Sequence, residues 1–98
     1  MLVLPQELTH AQANACLSQL MAGLKTQAGT DVVLDASGLL RFDSAALAVL
    51  LEFKRQCLAS SKQFSIYGMP KQLGDLAMLY GISELLPLAN SPAASSVK

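Results

Sequence analysis

The sequence predicts a single α/β domain with a small, mostly parallel central sheet and helices packed on it. Short segments with strand character alternate along the chain with longer segments of helical periodicity, which is the pattern of α/β layer folds. The length of 98 residues suits one domain with one core. We expect the order β-α-β-α-β-α within residues 1–89, followed by a flexible tail at 90–98.

The first helix is predicted over about residues 10–25. Thr9 is followed three residues later by Gln12, the spacing of a capping box. The apolar side chains that then recur at helical spacing are Ala13, Cys16, Leu17, Leu20, Met21 and Leu24. His10, the one histidine of the chain, is expected at the start of this helix, with its ring in solvent.

Three segments have the character of strands. Residues 2–4 are apolar and end at Pro5, which cannot donate to a strand ladder. Residues 32–37 begin with two valines, and residues 63–68 alternate in character. The connection after the second strand should be tight. Three strands are few for a sheet, so a further strand could be missing from the start or supplied from the end, where residues 82–88 dock or form a last short element.

The second helix is predicted from near Ser44 to about Ser60. Asp43 is a good N-cap because its carboxylate can accept from the free amides of the first turn and suits the helix dipole. At 100° per residue, the predicted core face consists of Leu47, Leu50, Leu51, Lys54 and Leu58, flanked by Ala46, Phe53 and Cys57. The predicted outer face consists of Ala45, Ala48, Glu52, Arg55 and Gln56, with Val49 at its border.

The third helix is predicted to begin at Pro70, whose missing N–H costs nothing in a first turn. Its expected apolar face consists of Leu73, Leu76, Ala77 and Tyr80, and Gly81 is a plausible end.

Composition argues against several functions. Seven basic and seven acidic residues give a formal net charge of zero, whereas a nucleic-acid binder needs a basic surface. One histidine and two distant cysteines offer no metal-ligand spacing, so Cys16 and Cys57 are expected to be reduced core thiols. Asp35 and Ser37 lie at the end of a strand, but no glycine-rich phosphate loop follows them. Without a basic segment before the apolar start, no secretory signal is predicted, and a cytoplasmic location is the default.

Residues 31–88 resemble the STAS domain family, which includes anti-sigma-factor antagonists and the tails of sulfate transporters. The resemblance rests on a strand, the motif D-x-S-G at 35–38, four residues, D-S at 43 and 44, an apolar helix, and a strand that ends near Gly68-x-Pro70. The opening LVLPQELTHAQANACLSQL and the ending LAMLYGISELLP are similar to a subgroup of the family. That subgroup consists of small cytoplasmic subunits of bacterial phospholipid ABC transporters.

The sequence departs from the family pattern at two places. In antagonists that act as phospho-switches, the kinase's target is a second hydroxyl residue, and the matching position here is Ala45. Ser44 matches the first hydroxyl position, which the family uses in contact with its partner. Family members also usually begin with an additional strand, so either the start is truncated or the sheet is one strand short. A homodimer that exchanges strands would complete such a sheet.

The resemblance implies a protein that binds the ATPase subunit of such a transporter and is peripheral to the inner membrane. It also implies that the protein has no catalytic activity and no cofactor. On the residues alone, small side chains on the outer face of the second helix allow a close approach by a partner, although alanine is also simply the best helix former. For Ser44, helix initiation and partner contact are both open. The predicted partner-binding residues are Leu40, Arg41, Asp43, Ser44, Ala45, Ala48, Glu52 and Met69.

Three rival functions follow from the same residues. An anti-sigma-factor antagonist that binds a serine kinase is the alternative from signalling, and Ala45 argues against its regulated form. A hydrolase that uses Ser44 lacks a neighbouring base. A module that lies on a membrane is disfavoured because the second helix has no basic polar face.

Overall fold

The computed structural model describes residues 2–26 and 29–89, and the predicted tail at 90–98 lies outside them. The fold is α/β, as predicted. In chain order the elements are β1 (Leu2–Val3), β2 (Glu7–Leu8), α1 (Ala13–Thr26), β3 (Asp31–Asp35), β4 (Arg41–Phe42), α2 (Ser44–Ala59), β5 (Gln63–Tyr67), α3 (Lys71–Leu79), the 3-10 turn η1 (Ser83–Leu85) and β6 (Leu88–Ala89).

The main sheet has the strand order β1-β3-β5-β6, and every pairing in it is parallel. In the register, Leu34 lies opposite Leu2 on one side and Ile66 on the other. The fourth strand, β6, comes from the end of the domain, which was one of the two sources expected from the sequence. This order places β3 and β5, which share five residue pairs, at the centre of the sheet.

The core lies on one face of the sheet. Val32 and Leu34 of β3 pack in one cluster with Phe64 and Ile66 of β5. The buried residues of all three helices belong to that same cluster, whereas Val33 points the other way, as alternation along a strand requires. The described helices therefore form one layer over one side of the sheet.

Two short strands, β2 and β4, were not predicted. They pair in parallel, with Glu7 opposite Arg41 and Leu8 opposite Phe42. The backbone N–H groups of Leu40 and Arg41 both donate to the carbonyl of Gln6, at 2.8 and 3.0 Å. Two-residue strands have no periodicity in the sequence, so the segment was expected only as a tight connection. The consequence is that the chain before α1 is attached directly to the chain before α2.

The predicted faces of α2 were partly wrong. Leu58 was expected in the core but is 57% exposed, and Val49 was expected at the border of the outer face but is 3% exposed. The helix is flanked by α1 and α3 and lies over β5, so its buried side faces the sheet and both neighbours. The buried residues are Ala46, Leu47, Val49, Leu50, Phe53 and Cys57.

The predicted face of α3 holds for Leu73 and Ala77, which are buried, and for Leu76, which packs against the core. Tyr80 was placed on that face wrongly, since it is 56% exposed. The reason is that α3 ends at Leu79, and Gly81, with φ of +73°, turns the chain away. Gly81 thus has the helix-ending position expected for it.

Candidate protein-binding surface at the start of the second helix

Asp43 caps α2 as predicted. Its backbone is extended, and its carboxylate Oδ1 accepts a hydrogen bond of 2.8 Å from the N–H of Ala45. This satisfies one of the amides that have no partner inside the helix. The cap fixes the direction in which Ser44 and the first turn of α2 leave the β4 segment.

The same carboxylate also binds His10, which lies three residues before the start of α1. Asp43 Oδ2 accepts from the backbone N–H of His10 at 3.2 Å and lies 3.5 Å from its ring Nδ1. The sequence placed His10 at the start of the first helix, whereas α1 begins at Ala13, three residues later. It gave no sign of this contact, because His10 and Asp43 are 33 positions apart. The pKa of Asp43 is lowered, first by the Ala45 amide, against a smaller opposing effect of desolvation, and further by its contacts with His10.

Arg41 makes a comparable contact with β2, the strand before α1. Its Nη1 lies 3.2 Å from Glu7 Oε2 across the β2–β4 pair, and both side chains are largely exposed. Such an exposed ion pair stabilises the fold by about 0–1 kcal/mol, so its main structural effect is to orient two charges beside the α2 start. Leu40, immediately before it, is 70% exposed.

The outer side of α2 begins with small residues. Ser44 and Ala48 are exposed, and Ala45 is half-buried. Glu52 is also half-buried, accepts from Gln56 Nε2 at 2.8 Å and lies 3.6 Å from Arg55 Nη1. Since a helix face with small side chains lets another backbone approach closely, the first two turns form a shallow surface with a polar border.

Seven of the eight predicted binding residues therefore lie together, along β4 and the first turns of α2. We call the surface formed by Leu40, Arg41, Asp43, Ser44, Ala45, Ala48 and Glu52 the α2 surface. Met69, the eighth residue, stays a predicted member of the surface. It follows β5, packs against the core cluster and lines a cavity beside α3.

The loops after β3 and β5 meet at the same end of the sheet. Ser37 donates to Asp35 Oδ1 through its N–H at 2.9 Å and its hydroxyl at 2.6 Å. Gly68 lies so close that a Cβ on it would be 2.7 Å from the Cβ of Ser37. Glycine is required there both for this approach and for its φ of +71°. This contact fixes the β5–α3 loop against the segment that leads to the α2 surface.

The two cysteines are buried and free, as expected. Burial raises the pKa of the Cys16 thiol. Burial also raises the pKa of the Cys57 thiol to about 11, against a smaller opposing effect of the nearby Lys62 charge. Both groups are therefore protonated near neutral pH, and their role is packing between α1, α2 and the sheet.

Comparison with known proteins agrees with the resemblance in the sequence. The model of the family described as "Mlab, STAS domain" matches residues 1–87. No curated protein matches the chain. Among the described residues, no helix has both the length and the apolar character needed to span a bilayer. STAS domains are in general binding modules without enzymatic activity, and this chain belongs to their MlaB-like family.

Proposed function

We propose that this protein is a non-catalytic subunit that binds the ATPase subunit of a phospholipid ABC transporter, an MlaF-like protein, and supports or regulates it. The site of contact would be the α2 surface, with the protein in the cytoplasm and peripheral to the inner membrane through the transporter. The observation that carries the proposal is the exposed start of α2, where Ser44 and Ala48 leave room for a partner.

The hydrogen bonds and core packing that hold the α2 surface in place favour binding over a purely structural role. Asp43 accepts from the amides of both Ala45 and His10, so one carboxylate links the segment before α1 to the first turn of α2. Beneath the surface, the inner side of α2 packs into the core. A surface held from two sides loses little conformational entropy when it binds, which favours affinity.

The mechanism would be coupling between two proteins. ATP hydrolysis belongs to the partner. The domain can favour an active conformation of the ATPase only by binding that conformation more tightly than the inactive one.

A pull-down of the tagged protein from a membrane extract of its native host, followed by mass spectrometry, tests this function. We expect an ABC ATPase and its permease to be recovered. Ser44→Arg should abolish the recovery because a long charged side chain would occupy the room at the helix start. Ala59→Arg is the matched control, since Ala59 is also exposed but lies at the other end of α2. Recovery of the transporter by Ser44→Arg at the wild-type level would remove Ser44 from the site.

The alternative is an anti-sigma-factor antagonist that binds a serine kinase. The exposure of Ser44 favours it, because a kinase could reach that hydroxyl. Ala45 stands where the regulated antagonists carry their acceptor. Incubation with such a kinase, followed by mass spectrometry, separates the two functions: we expect no phosphate on Ser44, and its stoichiometric phosphorylation would favour signalling.

A further inference from the structure

A cavity lies beside α3, between that helix and the segment that runs from η1 to β6. Its volume of about 340 Å³ falls at the lower end of the range for small-molecule sites, roughly 300–1,000 Å³. Most of its lining residues are apolar, among them Met69, Ala77, Met78 and Leu86. Its size and its lining are therefore those of a site for a small ligand.

The wall of the cavity contains a glycine that the fold does not require. Gly74 lies inside α3, where glycine is the least favourable residue apart from proline. Its φ is not in the left-handed region. A Cβ at this position would meet only the Sδ of Met69, at 3.7 Å, which is an ordinary van der Waals distance. Alanine would therefore fit and would favour the helix, so the effect of the glycine is to keep space open beside the backbone of α3.

The polar groups of the lining indicate the chemistry of the ligand. Lys71 Nζ lies 2.9 Å from Asp75 Oδ2, so the two charges in the lining neutralise each other and leave neither sign to attract an ion. A charged ligand group would also lose its hydration against an apolar wall, which is unfavourable without a partner. Ser83, also in the lining, has a hydroxyl that can donate or accept a hydrogen bond. The matching ligand is apolar over most of its surface and uncharged.

We propose that this cavity binds a small apolar molecule with one uncharged polar group, packed against the backbone of α3 at Gly74. The side chains of Met69 and Met78 in the lining are flexible and can adjust to the shape of the ligand. None of the seven residues of the α2 surface lines the cavity. The inference therefore does not rest on the proposed function, and either one can fail without the other.

Fluorescence titration with N-phenyl-1-naphthylamine tests the site. This uncharged aromatic probe carries one N–H group and emits strongly only in apolar surroundings. We expect saturable binding of one probe per chain by the wild-type protein, with a Kd on the order of 0.1 mM, as for a small ligand with few polar contacts. In the NMR spectrum, the amide resonance of Gly74 and those of its neighbours in α3 should shift with the same Kd.

Gly74→Leu should block the cavity, because a large side chain would occupy the space beside Met69. We expect binding to be at least tenfold weaker while the Tm is unchanged or raised, since leucine favours a helix more than glycine does. A damaged fold would instead lower both. Gly74→Ala is the milder variant, whose Cβ fits without a clash, and it should bind the probe more weakly than the wild type at a raised Tm.

Leu79→Ala is the matched control. Leu79 lies on the same helix and is 78% exposed, but it does not line the cavity. This variant should bind the probe with the wild-type Kd.

Three results would overturn the proposal. The wild-type protein could show no saturable binding. Gly74→Leu and Gly74→Ala could both bind the probe with the wild-type Kd. Finally, Leu79→Ala could lose binding as fully as Gly74→Leu, in which case the probe lies on the exposed side chains of α3 and not in the cavity.

Discussion

Two regions of the molecule differ in how the fold supports them: the α2 surface, and the segment from the end of α3 to β6, where Met78, Leu79, Tyr80, Leu85 and Leu88 are exposed. Around Asp43, the backbone N–H and ring Nδ1 of His10 and the backbone N–H of Ala45 converge on one carboxylate. The helix α2 behind it contributes six buried residues to the core. The segment from α3 to β6 contains a nine-residue helix with two buried residues and a strand of two residues. The first region consists of small side chains held by hydrogen bonds to Asp43, whereas the second exposes large apolar side chains on elements with few buried residues.

This difference indicates different kinds of contact. A surface of small residues with fixed charges discriminates partners by shape and charge, because little apolar area is available to be buried. A surface of large apolar side chains gains free energy from burial and tolerates imperfect fit. We therefore expect the α2 surface to determine which partner binds.

The largest effect is expected from the core beneath the α2 surface. Phe53 is fully buried and meets Phe64 edge to face, with ring centroids 5.6 Å apart. Phe53→Ala should lower the free energy of unfolding by about 3–5 kcal/mol, measured by urea denaturation. Leu58→Ala is the matched control on the same helix, and with an exposed side chain it should change stability by less than about 0.5 kcal/mol. Equal losses in the two variants would contradict the orientation of α2.

A smaller effect is expected where the β5–α3 loop meets the segment before α2. Gly68→Ala introduces a Cβ 2.7 Å from that of Ser37 and also requires a positive φ. Gly81→Ala requires a similar φ but has nothing within 4 Å. The left-handed conformation alone costs roughly 1–2 kcal/mol. Gly81→Ala should therefore lower the free energy of unfolding by about that much, and Gly68→Ala by clearly more, as measured by thermal unfolding. If the two variants lower the free energy of unfolding equally, the loop after β5 is not in contact with the loop after β3.

The smallest effect is expected from the charge of Asp43. Asp43→Asn keeps a good N-cap and removes the charge near His10. Because the folded pKa of Asp43 is lowered, its stabilising effect is present above the unfolded value of about 3.9 and is lost as the pH falls through the folded pKa. The wild type should thus be more stable than Asp43→Asn near neutral pH, and the difference should vanish in acid.

Thermal melts of both proteins between neutral and acid pH would show this convergence. A difference in Tm that stayed constant down to acid pH would mean that the carboxylate charge makes no contribution. In that case the hydrogen bond between Asp43 and His10 would not depend on the charge of the carboxylate.

Local patterns in the sequence predicted most of the elements. The Asp43 cap, the start of α2 at Ser44 and the stripe of α1 residues around Cys16 and Leu20 all depend on neighbours within one or two turns, and the structure has them as expected. The family also followed from the motif around Asp35 and Asp43, and the family model confirms it.

Contacts between distant segments could not be predicted. The orientation of α2 depends on having α1 on one side and α3 on the other, so a calculation from periodicity alone placed Leu58 inside and Val49 near the surface. The pairs Glu7–Arg41 and His10–Asp43 depend on the β2–β4 pairing. That pairing could not be predicted, because strands of two residues have no periodicity in the sequence. The exposure of Tyr80 could not be predicted either, because this residue fits the periodicity of α3 but the helix ends at Leu79.

Isothermal titration of the purified ATPase subunit with this protein tests the central claim most directly, since it measures binding at the α2 surface without other components. The account predicts saturable binding by the wild type and by Ala59→Arg. For Ser44→Arg it predicts at least a tenfold weaker Kd, about 1.4 kcal/mol, at an unchanged Tm. Binding of Ser44→Arg with the wild-type Kd, or no binding by the wild type, would contradict it.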